Sequence, residues 1–89
     1  MISRTTRRFR EELARLPDEV QRQARKAYRL FRDNPRHPSL RLKRVHPIKP
    51  IYSVRVSRNC RALGVLDGDT IVWFWIGNHG DYERLIAEM

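Results

Sequence analysis

An Asp67-Gly68 pair between two apolar runs constrains the fold of this chain more than any other local feature. The runs extend over residues 61–66 and 71–76. Glycine adopts a positive φ without steric cost, so an Asp-Gly pair in this setting is typical of a tight β-hairpin. The sequence therefore predicts two antiparallel strands, which the rest of the chain must cover.

The simplest register of this hairpin sets small residues against large ones. Gly64 then lies opposite Trp73, and Ala62 lies opposite Trp75, a favourable cross-strand fit. The other face of the hairpin carries one cation among apolar side chains: Arg61, Leu63, Val65, Val72, Phe74 and Ile76. We therefore expect both tryptophans on one face of the sheet and Arg61 on the other.

Apolar periodicity predicts two helices ahead of these strands. Residues 3–16 place apolar side chains at i, i+4 and i+7, one stripe of an amphipathic helix, with Ser3 or Thr5 as its N-cap. Pro17 ends this helix and suits the first turn of a second one, which must stop before Pro35. We expect the two helices to be antiparallel.

Shorter patterns complete the predicted fold. Residues 52–57 alternate apolar and polar side chains with the period of a half-buried strand, and residues 40–45 alternate briefly. After a turn at residues 77–80, residues 81–89 are expected to form a short helix. The predicted fold class is α+β in a single domain over residues 1–89. Two N-terminal antiparallel helices pack on one face of a three- to four-stranded, mostly antiparallel sheet, and a short C-terminal helix follows.

Basic residues are concentrated in the first half of the chain. The formal net charge is +9, with 15 basic and 5 acidic residues in positions 1–50 and 4 basic and 5 acidic residues after them. A concentrated positive field attracts polyanions, so nucleic acid is the leading candidate partner and an acidic protein is the next. The alternative is that these charges only solvate the outer faces of helices.

Several kinds of site are not expected. Cys60 is the only cysteine, which leaves no disulfide framework and no cysteine-based metal site. The three histidines at positions 37, 46 and 79 are too scattered for metal-ligand spacing, so we expect neither a metal nor a cofactor. No apolar run approaches the length of a membrane span, and the N-terminus lacks the apolar stretch of a signal peptide. These features favour a cytoplasmic protein with no membrane partner.

A series of short motifs follows a characteristic order along the chain. They are a Leu-Pro joint between basic helices, an Asn-Pro…Pro-Ser-Leu…Leu-Lys passage, a Tyr-Ser-Val-Arg-Val strand, a strand opened by Arg61, an Asp-Gly-Asp hairpin and a terminal Ile-Gly-Asn-His…Tyr. In their order and spacing they resemble the RelE/ParE superfamily of bacterial toxins. The resemblance covers nearly the whole chain.

This resemblance implies a small α+β toxin of a type II toxin–antitoxin system, held inactive by a cognate acidic antitoxin. RelE-like and YoeB-like members cleave mRNA in the ribosomal A site through attack of a 2′-hydroxyl on the adjacent phosphate, whereas ParE-like members poison DNA gyrase. For this chain the resemblance favours a metal-independent endoribonuclease, with the ribosome and mRNA as partners. A gyrase-binding toxin and a domain that retains only antitoxin or RNA binding are the alternatives.

The same resemblance implies roles for individual residues. Arg61 takes the position of the phosphate-binding arginine of YoeB-like toxins, and His79 takes that of their catalytic histidine. Lys43 lies near the position of their glutamate base. Because RelE-like members carry lysines in this segment, Lys43 or Lys49 is the candidate base. Gly80 replaces the tyrosine that follows the YoeB-like histidine, and together with the missing carboxylate this keeps the gyrase alternative open.

Four residues are expected to contact RNA: Arg44, Lys49, Arg55 and Tyr82. Arg55 is a second candidate for phosphate binding. Tyr82 is a candidate for stacking on a base, as aromatic side chains do in RNA sites. Structural alternatives remain open, in which Arg61 caps a sheet edge, His79 only shapes a turn and Tyr82 belongs to the core.

Overall fold

A five-stranded mixed sheet organises the chain in the computed structural model, which describes residues 1–89. The elements in chain order are β1 (Ile2–Thr5), α1 (Arg7–Ala14), α2 (Asp18–Asp33), a short 3-10 helix (Pro38–Leu40), β2 (Lys43–Arg44), β3 (Ile51–Ser57), β4 (Cys60–Asp67), β5 (Thr70–Asn78) and α3 (His79–Glu88). The strand order is β1-β5-β4-β3-β2. The α+β class is confirmed, but the sheet has five strands and not three or four.

The first strand was not expected from the sequence. Residues Ile2–Thr5 pair in parallel with β5, where a helix was predicted to begin at residue 3. The helix starts only at Arg7, because the side chain of Thr6 accepts a hydrogen bond from the Phe9 backbone amide over 3.1 Å and caps it. Long-range contacts hold β1 in place, since the Tyr28 hydroxyl and the Trp73 indole both donate to Ser3 over 2.8 Å. No local pattern encodes such a pairing.

The second helix matches its sequence signals closely. It extends over Asp18–Asp33, directly after Pro17 and just before Asn34-Pro35. Asp18 and Glu19 lie in its first turn, where carboxylates favour the helix dipole. The predicted second helix, with its boundaries, is therefore confirmed.

The hairpin between β4 and β5 contains a β-bulge that changes the predicted register. Gly64 lies opposite Trp73 as predicted, but Leu63 then lies opposite Trp75, because Phe74 is an extra residue without a partner. Ala62 consequently faces Ile76, so the predicted pairing of Ala62 with Trp75 is wrong. The bulge also moves Trp75 to the other face of the sheet, so the expectation that both tryptophans share one face is wrong.

Each face of the sheet carries its own core. Helices α1 and α2 cover one face, where Phe31 meets Trp73 edge-to-face with ring centroids 5.1 Å apart. Trp75 packs on the opposite face with Leu63 and Tyr82, a cluster that α3 covers. The expectation that the helices pack on one face is therefore right for α1 and α2 only. On the other face, Trp75, which the bulge places there, and the apolar side of α3 form a second core.

The segment predicted as a turn at residues 77–80 is instead a direct junction between β5 and α3. The Asn78 side chain accepts a hydrogen bond from the Asp81 backbone amide over 2.8 Å, which caps α3 at the last residue of the strand. The final helix therefore begins at His79, two residues earlier than predicted. None of the helices combines the length and apolar character that crossing a bilayer would require.

Candidate active site and basic groove

Arg61 lies near the start of β4, on the face of the sheet that α3 covers. It pairs with Arg55 on β3 and with Gly77 on β5. Its guanidinium carbon lies 5.4 Å from the centroid of the Tyr82 ring, within the range of a cation–π contact. The side chain is half-buried and takes part in no ion pair within the chain. An always-charged guanidinium without a counter-ion is suited to bind a phosphate.

His79 lies against the same aromatic ring. It is the first residue of α3, and its backbone amide donates to the Asn59 carbonyl over 2.9 Å. Its imidazole centroid lies 5.7 Å from that of Tyr82. The side chain is 44% exposed, and its Nε2 lies 2.9 Å from Oε1 of Glu83. Arg61 and His79 thus both lie against the ring of Tyr82, and neither side chain is fully buried.

Tyr82 supports this location from beneath. It is only 3% exposed, and its hydroxyl donates to Oγ of Ser53 over 3.0 Å. A ring this deeply buried presents no free face to a nucleobase, so the expected stacking role is not supported by the geometry. Tyr82 belongs to the core beneath the site, the alternative that the sequence left open, and it fixes the position of Arg61.

Lys43 and Arg55 lie on the same face of the sheet as Arg61. Lys43 is paired with Ser53, which is two residues from Arg55 and therefore points to the same side. Arg55 and Arg61 are directly opposite each other with no carboxylate paired to either. Like charges in such a pair destabilise a sheet. A bound anion would relieve this repulsion.

The other two predicted RNA contacts are not brought to this location. Arg44 is paired with Tyr52 on the opposite face of the sheet, and its guanidinium donates to the Ile48 carbonyl over 2.7 Å. Lys49 is exposed in the loop between β2 and β3, where its backbone amide donates to Nδ1 of His46 over 2.9 Å. Neither side chain has a hydrogen bond or ion pair with the site residues.

Cys60 lies beside the site but is not a usable nucleophile at neutral pH. Burial raises the pKa of its thiol to about 11, against a smaller opposing effect from a backbone hydrogen bond with Gly77. The thiol is therefore protonated and buried in the core on the α1–α2 side. No group of three or more His, Cys, Asp or Glu side chains is arranged to hold a metal ion.

A second feature is a groove of about 500 Å³ between α2, the 3-10 helix and the end of β3, which we call the basic groove. Four cations line it: Lys26, Arg41, Arg55 and Arg58. None of them is paired with a carboxylate, and the groove has no acidic residue in its lining. Its apolar lining comes from Ala27, Leu30, Leu40 and Val56. This composition suits an acidic ligand with apolar anchors.

Sequence reasoning missed three residues that the structure makes prominent. Arg41 and Arg58 contribute to the basic groove, and Arg41 adopts a left-handed conformation with φ of 47°. Glu83 contacts His79 one helical turn away, and the i, i+4 spacing on a predicted helix is a signal for such a pair. The groove has no such signal, because its lining is assembled from three separate segments.

Comparison with known proteins gives a consistent picture. Residues 18–84 match a family model described as the ParE-like toxin domain. No curated protein sequence matches the chain significantly. Similar folds occur in the RelB–RelE antitoxin–toxin complex from Methanococcus jannaschii, with a TM-score of 0.75 at 14% identity over 92% of this chain and 96% of that one.

Two further solved structures share this fold. The YoeB/ParE toxin from Agrobacterium tumefaciens has a TM-score of 0.70 at 12% identity, over 89% of this chain and 99% of that one. YafQ from Escherichia coli strain BL21(DE3) has a TM-score of 0.70 at 11% identity, over 90% of this chain and 94% of that one. At these levels of identity the likeness concerns the fold alone.

Proposed function

This chain belongs to the ParE-like toxin domain family, within the RelE/ParE superfamily, and from that premise we propose that it is a toxin that cleaves mRNA on the ribosome. The observation that carries this proposal is the convergence of Arg61 and His79 on the Tyr82 ring. A permanent cation and an imidazole beside the same ring are two of the groups that cleavage by an internal 2′-hydroxyl requires.

The reaction assigns a separate task to each group. The 2′-oxygen of one nucleotide bonds to the adjacent phosphorus while the bond from phosphorus to the 5′-oxygen breaks, which leaves a 2′,3′-cyclic phosphate. Arg61 neutralises the charge that grows on the non-bridging oxygens. His79 donates a proton to the departing 5′-oxygen. Water need not take part in this step.

Lys43 is the candidate for the remaining task, which is to accept the proton of the 2′-hydroxyl. It lies on the edge strand β2, on the same face as Arg55 and Arg61. Arg55, opposite Arg61, supplies a second cation for the same or the adjacent phosphate. Lys49 and Arg44 lie outside this cluster, so their contribution is to the approach of RNA and not to the chemical step.

The second candidate function is inhibition of DNA gyrase without nuclease activity. The description of the matching family model as ParE-like favours it. So does the absence of a carboxylate beside Lys43, where YoeB-like enzymes carry their glutamate base. Under this alternative Arg61 and His79 have no catalytic task.

Cleavage and gyrase inhibition are separated by mapping mRNA 5′ ends after brief induction. If the protein is a ribosome-dependent nuclease, new mRNA 5′ ends should appear inside translated reading frames. These ends should disappear when translation initiation is blocked. Intact mRNA together with gyrase-linked DNA breaks would contradict the nuclease function and support inhibition of gyrase. Intact mRNA without DNA breaks would favour the remaining alternative, a domain that only binds an antitoxin or RNA.

An acidic antitoxin is the proposed protein partner, and the basic groove is its proposed site. The apolar sheet face that carries Leu63 is a less suitable site, because α3 covers part of it and Leu63 is completely buried beneath Tyr82 and its neighbours. The groove combines four unpaired cations with an apolar lining, and no aromatic residue is present there for stacking on bases. Charge would speed the encounter of the partners, and apolar anchors would slow their separation.

Charge reversal in the groove tests this assignment. The double variant K26E/R58E should weaken the complex formed on co-expression with the cognate acidic antitoxin. Variant R15E/R36E is the matched control, because Arg15 and Arg36 are exposed, unpaired and outside the groove. Equal loss in both variants would indicate a general charge effect and not a groove.

A further inference from the structure

The imidazole of His79 has one close charged partner within the chain. Nε2 lies 2.9 Å from Oε1 of Glu83, one turn further along α3. No hydrogen bond within the chain engages Nδ1, the other ring nitrogen. The two nitrogens are therefore distinguished, with one held by the protein and the other available to a ligand.

Charged groups other than Glu83 also lie near the His79 ring. His79 is the first residue of α3, where the helix dipole opposes a cation. Arg61 lies against the same Tyr82 ring and opposes it as well. Asp81, the acid in the first turn of α3, forms an ion pair with Arg84. Glu83 is thus the carboxylate in contact with the imidazole.

Stability does not explain this pair. The Glu83 side chain is 68% exposed and the His79 side chain is 44% exposed, and pairs this open to solvent contribute little to folding. The other ion pairs of the chain join arginines to acids on helix surfaces. The pair with His79 differs because its nitrogen belongs to an imidazole that contacts the same Tyr82 ring as Arg61.

We propose that Glu83 is a positioning residue for His79, and this inference rests on the proposed nuclease function. The carboxylate holds Nε2 of the protonated ring and directs Nδ1 toward the scissile phosphate. The Nδ1 proton then moves to the 5′-oxygen as the bond between that oxygen and phosphorus breaks. His79 is left neutral and regains a proton from solvent, and Glu83 remains ionised throughout.

A chemically modified substrate distinguishes this role from a structural one. Ribosomes are programmed with an mRNA in which sulfur replaces the 5′-bridging oxygen at the cleavage point. A thiolate leaves without protonation, so a general acid and any residue that acts through it become unnecessary. Single-turnover cleavage of the sulfur-containing and natural mRNAs is then measured for the wild type, E83Q, H79A and the control E88Q. Glu88 is the control because it is an exposed, unpaired acid at the end of the same helix.

The expected pattern has three parts. On natural mRNA, E83Q slows cleavage by roughly tenfold or more, short of the roughly 10²–10⁴-fold loss of H79A. On the sulfur-containing mRNA, both variants cleave within about threefold of the wild type, because the missing proton is no longer needed. E88Q behaves as the wild type on both.

Each contrary result is informative. If E83Q cleaves natural mRNA at the wild-type rate, the role of Glu83 is wrong while the nuclease function stands. If E83Q is slow on both substrates, Glu83 acts as a base or a structural residue and not through a proton on His79. If the wild-type protein cleaves neither mRNA, the proposed function fails and the role of Glu83 fails with it.

Discussion

Arg61 lies over the ring of Tyr82, with its guanidinium carbon 5.4 Å from the ring centroid. The ring itself is fixed by the hydrogen bond from its hydroxyl to Ser53 and by packing against Trp75 at a centroid distance of 6.5 Å. A mobile arginine would lose entropy on binding phosphate, and a supported one loses less. The core beneath α3 therefore holds the Arg61 side chain in place before phosphate binds.

The hydroxyl of Tyr82 should matter for stability more than for activity. Variant Y82F leaves the buried Ser53 hydroxyl without its partner, which costs about 1–3 kcal/mol in the free energy of unfolding. The aromatic ring remains under Arg61, so mRNA cleavage should persist. Denaturant unfolding and cleavage assays are compared with Y28F, which loses a less buried hydrogen bond to the Ser3 carbonyl. Loss of cleavage in folded Y82F would show that the hydroxyl itself takes part.

Removal of either proposed catalytic side chain should abolish growth arrest. H79A should lower the cleavage rate by about 10²–10⁴-fold as a missing acid. R61A should lower it by about 10²–10³-fold as a missing contact to the developing charge. Both variants should remain folded and bind the antitoxin, with H37A as a control for an imidazole in another part of the chain. Two fully toxic variants that leave mRNA uncut would favour the gyrase poison.

Ribosome binding should depend steeply on salt through the basic face of α2. Replacement of Arg22, Arg25, Lys26 and Arg29 by alanine should reduce the slope of log affinity against log salt by about 2 to 3, if each contacts one phosphate. Arg22 is paired with Glu19, which lowers its share. The control is R7A/R8A on α1, where both arginines pair with glutamates. An unchanged slope in the α2 variant would mean that RNA binds another surface.

Two glycines should respond in opposite directions to alanine. A Cβ atom at Gly64 would lie 2.7 Å from Cε3 of Trp73, so G64A should lower the free energy of unfolding by about 1–3 kcal/mol. At Gly80 the nearest atom would be Oδ1 of Asn78 at 3.5 Å, and the position is inside α3. G80A should therefore raise stability by about 0.4–1 kcal/mol. Thermal unfolding measures both, and a stabilised G64A would contradict the close approach of the indole.

The buried thiol should make stability fall at alkaline pH. Burial raises the pKa of Cys60 from its ordinary value of 9.0 to about 11 in the folded protein. Below pH 9 both states keep the proton, whereas between pH 9 and 11 the unfolded chain loses it first. This ionisation therefore removes up to about 2–3 kcal/mol of stability across that range. The unfolding free energy of the wild type should fall by that amount relative to that of C60A between pH 8 and pH 11. Parallel curves would mean that the thiol is accessible to water.

The sequence by itself determined those helices and turns whose ends depend on neighbouring residues only. Pro17 and Pro35 bound α2 because proline lacks an amide hydrogen and restricts the residue before it. Asp67 and Gly68 start the hairpin, and Gly68 has the positive φ of 60° that the turn requires. The proximity of Arg61 to the end of β5 follows from that hairpin alone. These features need no knowledge of the rest of the chain.

Tertiary structure alone decided the features that depend on distant contacts. The strand Ile2–Thr5 exists because β5 offers it an edge about 70 residues away in sequence. The extra residue Phe74 reverses the face of every side chain after it, and period-two reasoning cannot anticipate such a shift. This reversal carries Trp75 to the side of Tyr82, and the support of Arg61 depends on it. The sequence thus determined which groups can act, and packing across both faces of the sheet decided where they meet.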